Sequence, residues 1–298
     1  MARTNNTALR GRLLRDEPMA HHTSWRVGGP ADRIYVPADS DDLAVFLRSL
    51  PADEPVYWVG LGSNLLVRDG GVRGTVVITS GALGGLAVIA DGSVRAEAGV
   101  ACAKLARFCF NQGLSGGEFM AGIPGTVGGA LAMNAGAHGG ETWSFVSAVE
   151  TIDRSGKVQR RAATEFSVSY RRVQGPAPAW FVAGHFRFPK DAKQEGRGLI
   201  RRLLARRGAT QPTQLPNAGS VFKNPAGDHA ARLIEASGLK GLRIGGAAVS
   251  ELHANFIVNT GGARAADIEQ LIARLQTEVE TKQGVRLETE VRVIGDVA

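Results

Sequence analysis

Three glycine-rich stretches have the residue types and spacing to hold a phosphorylated ligand. The segment Gly122-Ile-Pro-Gly-Thr-Val-Gly-Gly129 packs four glycines into eight residues and runs into Ala130-Leu-Ala-Met-Asn134. Glycine loses more backbone freedom on ordering than any other residue, so a merely structural turn rarely needs so many. A helix starting near Thr126 would aim unpaired N–H groups and the positive end of its dipole at an anion. Gly60-Leu-Gly-Ser-Asn-Leu-Leu66 follows a predicted strand. It can form an anion nest, and a plain inter-strand turn fits it equally. It is not a Rossmann fingerprint, because position 65 is Leu65 and the continuation Val67-Arg-Asp-Gly-Gly71 makes a turn, not a helix. Thr23-Ser-Trp-Arg-Val-Gly-Gly29 sets Arg26 beside a Gly-Gly turn. Such loops in one strand-rich region point to a long diphosphate ligand with a large ring system. Without Rossmann or P-loop patterns, ATP and Rossmann-bound NAD are disfavoured.

These loops need a scaffold of short strands and a few helices. Residues 56–59 and 75–78 read as strands, and 86–90 and 93–98 flank Asp91-Gly92, a two-residue hairpin signal. A helix is predicted over 101–112, stopped by Gly113. A second hairpin, 146–153 with 157–161, turns at Ser155-Gly156, and 180–188 alternates as a strand. The texture changes at 209–216, a Thr/Gln/Pro linker. Beyond it come a strand at 220–222, a helix over 228–237 with Asp228 as N-cap, and a strand at 255–258. A long helix over 265–283 carries Ile268, Leu271, Ile272, Leu275 and Val279 at helical spacing, and a strand over 285–294 closes the chain. The expected class is α+β with mixed or antiparallel sheets.

Composition bounds the function. The 298 residues suit two domains at about 150 each. With 44% hydrophobic and 21% charged residues, the chain can form a packed core. No apolar run reaches the ~18 residues of a membrane span, and the first twenty residues lack the apolar centre of a secretory signal. A soluble cytosolic protein is expected. Cys102 and Cys109 fall in one predicted helix, about 10 Å apart along its axis, too far for a disulfide and too few for zinc. The net charge of +7 owes much to residues 197–207, with five arginines and no acid. That segment reads as an amphipathic helix with Leu199, Ile200, Leu203 and Leu204 facing inward. It lacks the aromatic interleaving of a nucleic-acid patch.

The three glycine stretches, together with Ser169-Tyr-Arg171, Asn217-Ala-Gly-Ser-Val-Phe-Lys-Asn-Pro225, Leu252-His-Ala-Asn-Phe-Ile-Val-Asn259 and Glu290-Val-Arg292, resemble the UDP-N-acetylenolpyruvoylglucosamine reductase (MurB) family over nearly the whole chain. The last three are specific in combination. The resemblance implies a PCMH-type FAD-binding domain of two subdomains over 1–190 (core about 25–190), a helix and linker at 191–215, and a C-terminal α+β substrate-binding domain over 216–298. The short run from Arg171 to Trp180 looks like the type II branch, which lacks an extra tyrosine-bearing loop. The family pattern after Tyr-Arg is at least one residue longer than Arg172-Val-Gln-Gly-Pro-Ala-Pro178, which keeps Arg172 as an alternative to Arg171.

The activity so implied is NADPH-dependent, FAD-mediated reduction of the enolpyruvyl ether of UDP-N-acetylglucosamine to UDP-N-acetylmuramate, in peptidoglycan precursor synthesis. FAD contacts would come from Arg26, Gly28, Gly60, Gly62, Ser63, Asn64, Leu65, Gly122, Ile123, Pro124, Gly125, Thr126, Gly128, Gly129 and Asn134. Arg171 would stabilise the developing enolate with its guanidinium fork. Ser220 would deliver the proton, polarised by neighbours such as Lys223 or Glu290. Glu290, if protonated, would bond the substrate carboxylate or support the relay. Lys223, Asn224 and Tyr170 would touch substrate. No metal, nucleic-acid partner or membrane insertion is expected, and the protein is read as a cytoplasmic monomer.

Taken alone, these residues read otherwise. Ser220 is a strand or turn hydroxyl and Arg171 a solvated arginine. The alternation of 285–293 sets Glu290 on a solvent face with Arg286, Glu288 and Arg292. His253 and Asn255 either line the same cleft or are structural; His21 and His22 read as surface residues, and His138 has no role. The alternative function is a PCMH-fold flavin oxidase of a sugar or alcohol. Such oxidases often tether FAD through His or Cys near the first glycine loop; here position 63 is Ser63, and 56–74 holds neither residue type.

Overall fold

The computed structural model describes residues 8–176, 178–191 and 196–298. The chain divides into two compact units, and the division is not linear. Residues 33–60 and 74–197 join the N-terminal stretch up to Arg15 in unit 1, whereas 16–32 and 61–73 cluster with 198–298 in unit 2. The expectation of one cut near 190–215 misses this, because two short N-terminal segments supply strands and loops to the C-terminal core.

Unit 1 contains helices α1 (Ser40–Ser49), α2 (Cys102–Asn111) and α3 (Val127–Met133). An antiparallel sheet runs in the order Val158–Ala162, Val146–Ile152, Trp180–Phe186, Val94–Glu97, Leu86–Val88. Its edge hairpin turns at Asp91-Gly92, where Gly92 takes a φ of +78°. A second sheet has the order Arg12–Pro18, Pro30–Val36, Val72–Ile78, Val56–Val59. The core packs Tyr35 flat on Phe46, with ring centroids 3.7 Å apart, beside Leu43, Leu47, Val77 and Val182. Cys102 and Cys109 are both buried on α2, and burial pushes their thiols up to about 12. They are inert core residues.

A cluster of charged side chains sits in the antiparallel sheet. Arg95 forks onto Glu150 at 2.8 and 2.7 Å, and His185 Nε2 lies 2.8 Å from the same carboxylate. The bond from Arg95 holds the Glu150 carboxyl below its ordinary range, against the opposing effect of burial.

In unit 2, α4 (Gly196–Thr210) leads into α5 (Ala230–Ala236) and α6 (Ala265–Gln283). A small antiparallel sheet joins Arg243–Ile244, Ala247–Val249 and Ile257–Asn259, and Leu65–Val67 pairs in parallel with Arg292–Ile294. The periodic residues of α6 are buried against Trp25, Leu66, Val221 and Phe222. Gly284 ends the helix at a φ of +68°. The helix begins under Asp69, whose two carboxylate oxygens accept the N–H groups of Ala265 and Ala266 at 3.0 and 2.9 Å.

Several local expectations are corrected. The segment 220–222 and the stretch before Arg292 are not continuous strands but are tied by an isolated bridge, Phe222 to Thr289. Asp228 does not cap α5: its carboxylate pairs with Arg232, and Asn224 Oδ1 accepts the Ala230 N–H at 3.1 Å instead. On α4 Ile200 is buried but Leu204 is exposed, so the helix buries a narrower face than four apolar residues.

Removing the Asp69 cap, as in Asp69→Ala, is expected to destabilise unit 2 by about 1 kcal/mol, read as a lower urea midpoint. The Arg95–Glu150 pair sets a pH dependence. A depressed carboxyl pKa adds stability above the ordinary range near ~4.3 and loses it as pH falls through the folded value. Arg95→Met should therefore cost clearly more stability at pH 7 than at pH 3; equal losses would mean the pair acts by packing alone.

Candidate functional site

In unit 2 the candidate proton donor lies in a segment held from both sides. Asn217 shapes the approach: its Oδ1 accepts the Gly219 N–H at 3.0 Å, and Gly219 turns with a φ of +73°, where a Cβ would meet nothing within 4 Å. Glycine serves the turn and leaves open space beside Ser220, which is half-buried. On one side the Val221 N–H donates to the Asn255 carbonyl at 2.9 Å. On the other, the Glu290 N–H donates to the Val221 carbonyl at 2.8 Å. Ser220 and Glu290 thus sit on adjoining stretches of backbone. Glu290 is half-buried, not on the solvent face that alternation indicated, because the segment before Arg292 packs across 221–223 and is not one side of a free strand.

The Glu290 peptide is also tied to the Gly60–Leu66 loop. Asn64 Nδ2 donates to the Glu290 carbonyl at 3.1 Å, and the Asn64 carbonyl accepts from Arg292 N–H at 3.1 Å. Leu65 then opens the short parallel strand, and Ser63 occupies the turn. Lys223 pairs with Glu288 through its ammonium group, and its N–H donates to the Glu288 carbonyl at 2.9 Å. Asn224 is the α5 capping residue described above. His253 is partly buried against Phe256, and burial lowers its pKa. Asn255 does not line a cleft: it is buried, and its amide is engaged by Phe222.

The Thr23–Gly29 loop stacks on the same glycine loop. Ser24 N–H and Oγ both donate to the Gly62 carbonyl, at 3.2 and 3.3 Å. A Cβ on Gly62 would lie 2.1 Å from the His22 carbonyl oxygen, and one on Gly28 would lie 2.8 Å from Val67 Cβ. Thr23, Trp25 and Val27 are buried, and Arg26 between them is exposed with a φ of +58°. Asn259, another residue the sequence reading missed, donates from Nδ2 to the Trp25 carbonyl at 2.9 Å. The available signal was an asparagine at each end of an apolar strand, since buried amides must find partners.

In unit 1 the loop 122–134 carries α3, with Thr126 as its N-cap. The expected row of unpaired amides is corrected here. Val127 and Gly128 N–H groups donate to the carbonyls of Val100 and Ala98, at 2.8 and 2.9 Å. Gly128 is needed for this approach, because a Cβ would lie 2.8 Å from Ala98 Cβ. Gly60 similarly makes room for Thr126 Oγ1, 2.3 Å from where its Cβ would be, and Gly122 for His138. Ile123 is buried. The solvent edge of the loop is Pro124, Gly125 and Gly129. Asn134 ends α3 in the left-handed conformation, buried, with its amide bonded to Glu141, Ser169 and Trp143 N–H at 3.0, 3.4 and 3.1 Å.

Arg171 occupies the turn of the hairpin Ser167–Ser169 with Arg172–Gln174, at a φ of +55°. Its guanidinium donates to the carbonyls of Asn134 and Gly136, both at 3.2 Å, and lies 4.9 Å over the exposed Tyr170 ring. Arg172 opens the second strand and is exposed.

Residues 31–161 match the family model described as FAD binding domain, and residues 211–294 match UDP-N-acetylenolpyruvoylglucosamine reductase, C-terminal domain. The chain is 59% identical over 286 residues to the UDP-N-acetylenolpyruvoylglucosamine reductase of Alkalilimnicola ehrlichii, covering 96% of each chain. The enzyme of the same name from Methylococcus capsulatus is 58% identical, covering 96% of this chain and 94% of its own. The chain belongs to the UDP-N-acetylenolpyruvoylglucosamine reductase family. The crystal structure of the family member (MurB) from Thermus caldophilus superposes with a TM-score of 0.79 at 33% identity, covering 96% of this chain and 99% of that one. The α+β class and the FAD-binding domain expected from the sequence stand on these matches.

The residues of this reductase fit a flavin dinucleotide at their solvent edges. A Cβ on exposed Gly129 would meet nothing nearer than Thr126 Oγ1 at 3.8 Å, so the α3 start is open to a ligand there. Arg26 is exposed, held in a strained backbone state, and has no carboxylate partner among the described residues, which suits a phosphate. Among the described residues no group of three potential ligands could hold a metal, and no helix is long and apolar enough to cross a membrane.

The two adjacent glycines of α3 should behave differently. Gly128→Val forces the loop off Ala98 and is expected to destabilise unit 1 by about 1–3 kcal/mol. Gly129→Val meets open space and should leave the thermal midpoint nearly unchanged.

Proposed function

We propose that Ser220, Glu290 and Arg171 carry out the protonation chemistry of UDP-N-acetylenolpyruvoylglucosamine reduction in this chain, with FAD gripped by the glycine edges and NADPH as electron donor. The reaction reduces the enolpyruvyl ether of UDP-N-acetylglucosamine to UDP-N-acetylmuramate, a step of peptidoglycan precursor synthesis. Bound FAD would supply the hydride chemistry, taking hydride from NADPH and giving it to the terminal vinyl carbon.

The observation that carries the reading is the Glu290–Val221 hydrogen bond, which keeps the serine and the carboxyl group on adjoining backbone inside one unit. As hydride adds to the vinyl carbon, negative charge moves onto the substrate carboxylate. Arg171 is a permanent cation whose guanidinium is pinned to two carbonyls, so it can meet that charge without reorganising. The Ser220 hydroxyl gives its proton to the carbon that bears the carboxylate, and the resulting alkoxide is reprotonated through Glu290. Lys223, Asn224 and Tyr170 are assigned to the substrate's phosphates and sugar; Lys223 would exchange Glu288 for phosphate when substrate binds. Arg26, Gly28, Gly60, Gly62, Ser63, Asn64, Leu65, Gly122, Ile123, Pro124, Gly125, Thr126, Gly128, Gly129 and Asn134 are assigned to FAD, the more buried members by shaping the loops. A UDP-linked substrate and NADPH favour work in the cytoplasm, and we read the protein as a monomer, which light scattering would check.

Ser220→Ala should leave NADPH-dependent flavin reduction nearly intact and slow reoxidation by the enolpyruvyl substrate by about 10²–10⁴-fold in stopped flow. Equal slowing of both half-reactions would assign Ser220 to folding or FAD binding instead. Gly129→Val should lower the FAD retained on gel filtration while the fold persists. A protein that stays colourless with added FAD defeats the whole assignment.

A further inference from the structure

Residues 221–223 lie between two neighbours without belonging to a sheet, yet their peptide groups are paired in order. Val221 N–H goes to the Asn255 carbonyl, and Val221 C=O takes the Glu290 N–H. Lys223 N–H goes to the Glu288 carbonyl. The Phe222 peptide groups between them are met by one side chain: Asn255 Oδ1 accepts the Phe222 N–H at 2.9 Å, and Asn255 Nδ2 donates to the Phe222 carbonyl at 2.8 Å. A primary amide is the one side-chain group that offers a donor and an acceptor in the geometry of a peptide bond. Asn255 therefore stands in for a missing β-ladder partner. It is buried, 3% exposed, between Ala254 and Phe256 of the core.

Upstream, Ser220 follows a glycine in the left-handed region whose surroundings are open. The Gly219 N–H there is held by Asn217 Oδ1. Downstream, three bonds, from Val221 N–H and to both Phe222 groups, end on Asn255.

We infer that Asn255 is a positioning residue for the protonation step: its amide grips the Phe222 peptide so that the Ser220 hydroxyl stays where proton transfer needs it. The inference rests on the assignment of Ser220 proposed above. It differs from a general stabilising role in what it predicts for the two half-reactions.

The test uses the FAD-loaded enzyme in four forms: wild type, Ser220→Ala, Asn255→Asp and the double variant. Asn255→Asp keeps the shape and the acceptor for Phe222 N–H but sets a carboxylate oxygen against the Phe222 carbonyl. Stopped flow reads flavin reduction by NADPH and flavin reoxidation by UDP-N-acetylglucosamine enolpyruvate separately. Asn255→Asp is expected to slow reoxidation by about 10–100-fold, the effect of a displacement near 1 Å, and to leave flavin reduction unchanged. In the Ser220→Ala background it should add less than about twofold, because the group it positions is gone. Multiplicative losses in the double variant, or equal slowing of both half-reactions, overturn the inference. Slowed Ser220→Ala beside an unaffected Asn255→Asp overturns it while leaving the function intact. Unchanged reoxidation in Ser220→Ala overturns the Ser220 assignment and this inference together. If Asn255→Asp does not retain FAD, Asn255→Ser, which removes both bonds without adding charge, is read by the same criteria.

Discussion

A chain whose strands run from two to seven residues cannot satisfy its peptide groups by ladders alone, and buried peptide groups without partners cost too much to leave. Side-chain amides fill the deficit. Asn255 pairs with both polar groups of Phe222, Asn259 holds the Trp25 carbonyl, Asn64 the Glu290 carbonyl, and Asn217 the Gly219 N–H. In unit 1, Asn134 joins the end of α3 to residues 141, 143 and 169. Each amide replaces a strand or a cap that the backbone does not provide. Each also fixes a segment carrying a residue assigned to the chemistry. The polar scaffold and the functional segments are therefore one system.

The glycines answer the same constraint from the other side. A loop closed by side-chain amides and carbonyls has little room, and the missing Cβ atoms create it. Gly62 lets the loop lie on the His22 carbonyl, Gly29 on that of Asp69, and Gly128 on Ala98. Bare amides facing a phosphate would account for the glycines without this packing, which the structure shows they serve. Two of the four glycines in 122–129, Gly122 and Gly128, let the loop pack on a neighbouring segment, and the ligand edge is narrower: Pro124, Gly125 and Gly129.

Much of this was legible in the residues where the signal was local. The long helix over 265–283 follows from its apolar period and terminal glycine, and the hairpin at Asp91-Gly92 from its turn. Its other end was not legible: the cap of α6 comes from Asp69, 196 residues away. The segment 220–222 reads as a strand because its residues are apolar, but its partner is a side chain, which no periodicity encodes. Glu290 reads as solvent-facing because alternation assumes a ladder on one side and water on the other; here backbone from 221–223 crosses on one side and Asn64 meets the other. The two-unit division was hidden for a similar reason, since 16–32 and 61–73 carry no compositional mark of the core they join.

Backbone strain gives an independent argument about which side chains matter. Among the described residues, five that are not glycine adopt the left-handed conformation, and three of them are Arg26, Asn134 and Arg171. That conformation costs an ordinary residue about 1–2 kcal/mol, and glycine would relieve it at once. An arginine in such a position is explained only if its side chain returns more than glycine would. For Arg171 the structure supplies two bonds to the carbonyls that follow α3, where a cation is also favoured by the helix dipole. In the role proposed for it, a guanidinium held rigid before substrate arrives would add a second return: it would meet a growing negative charge without losing side-chain entropy or waiting for solvent to rearrange.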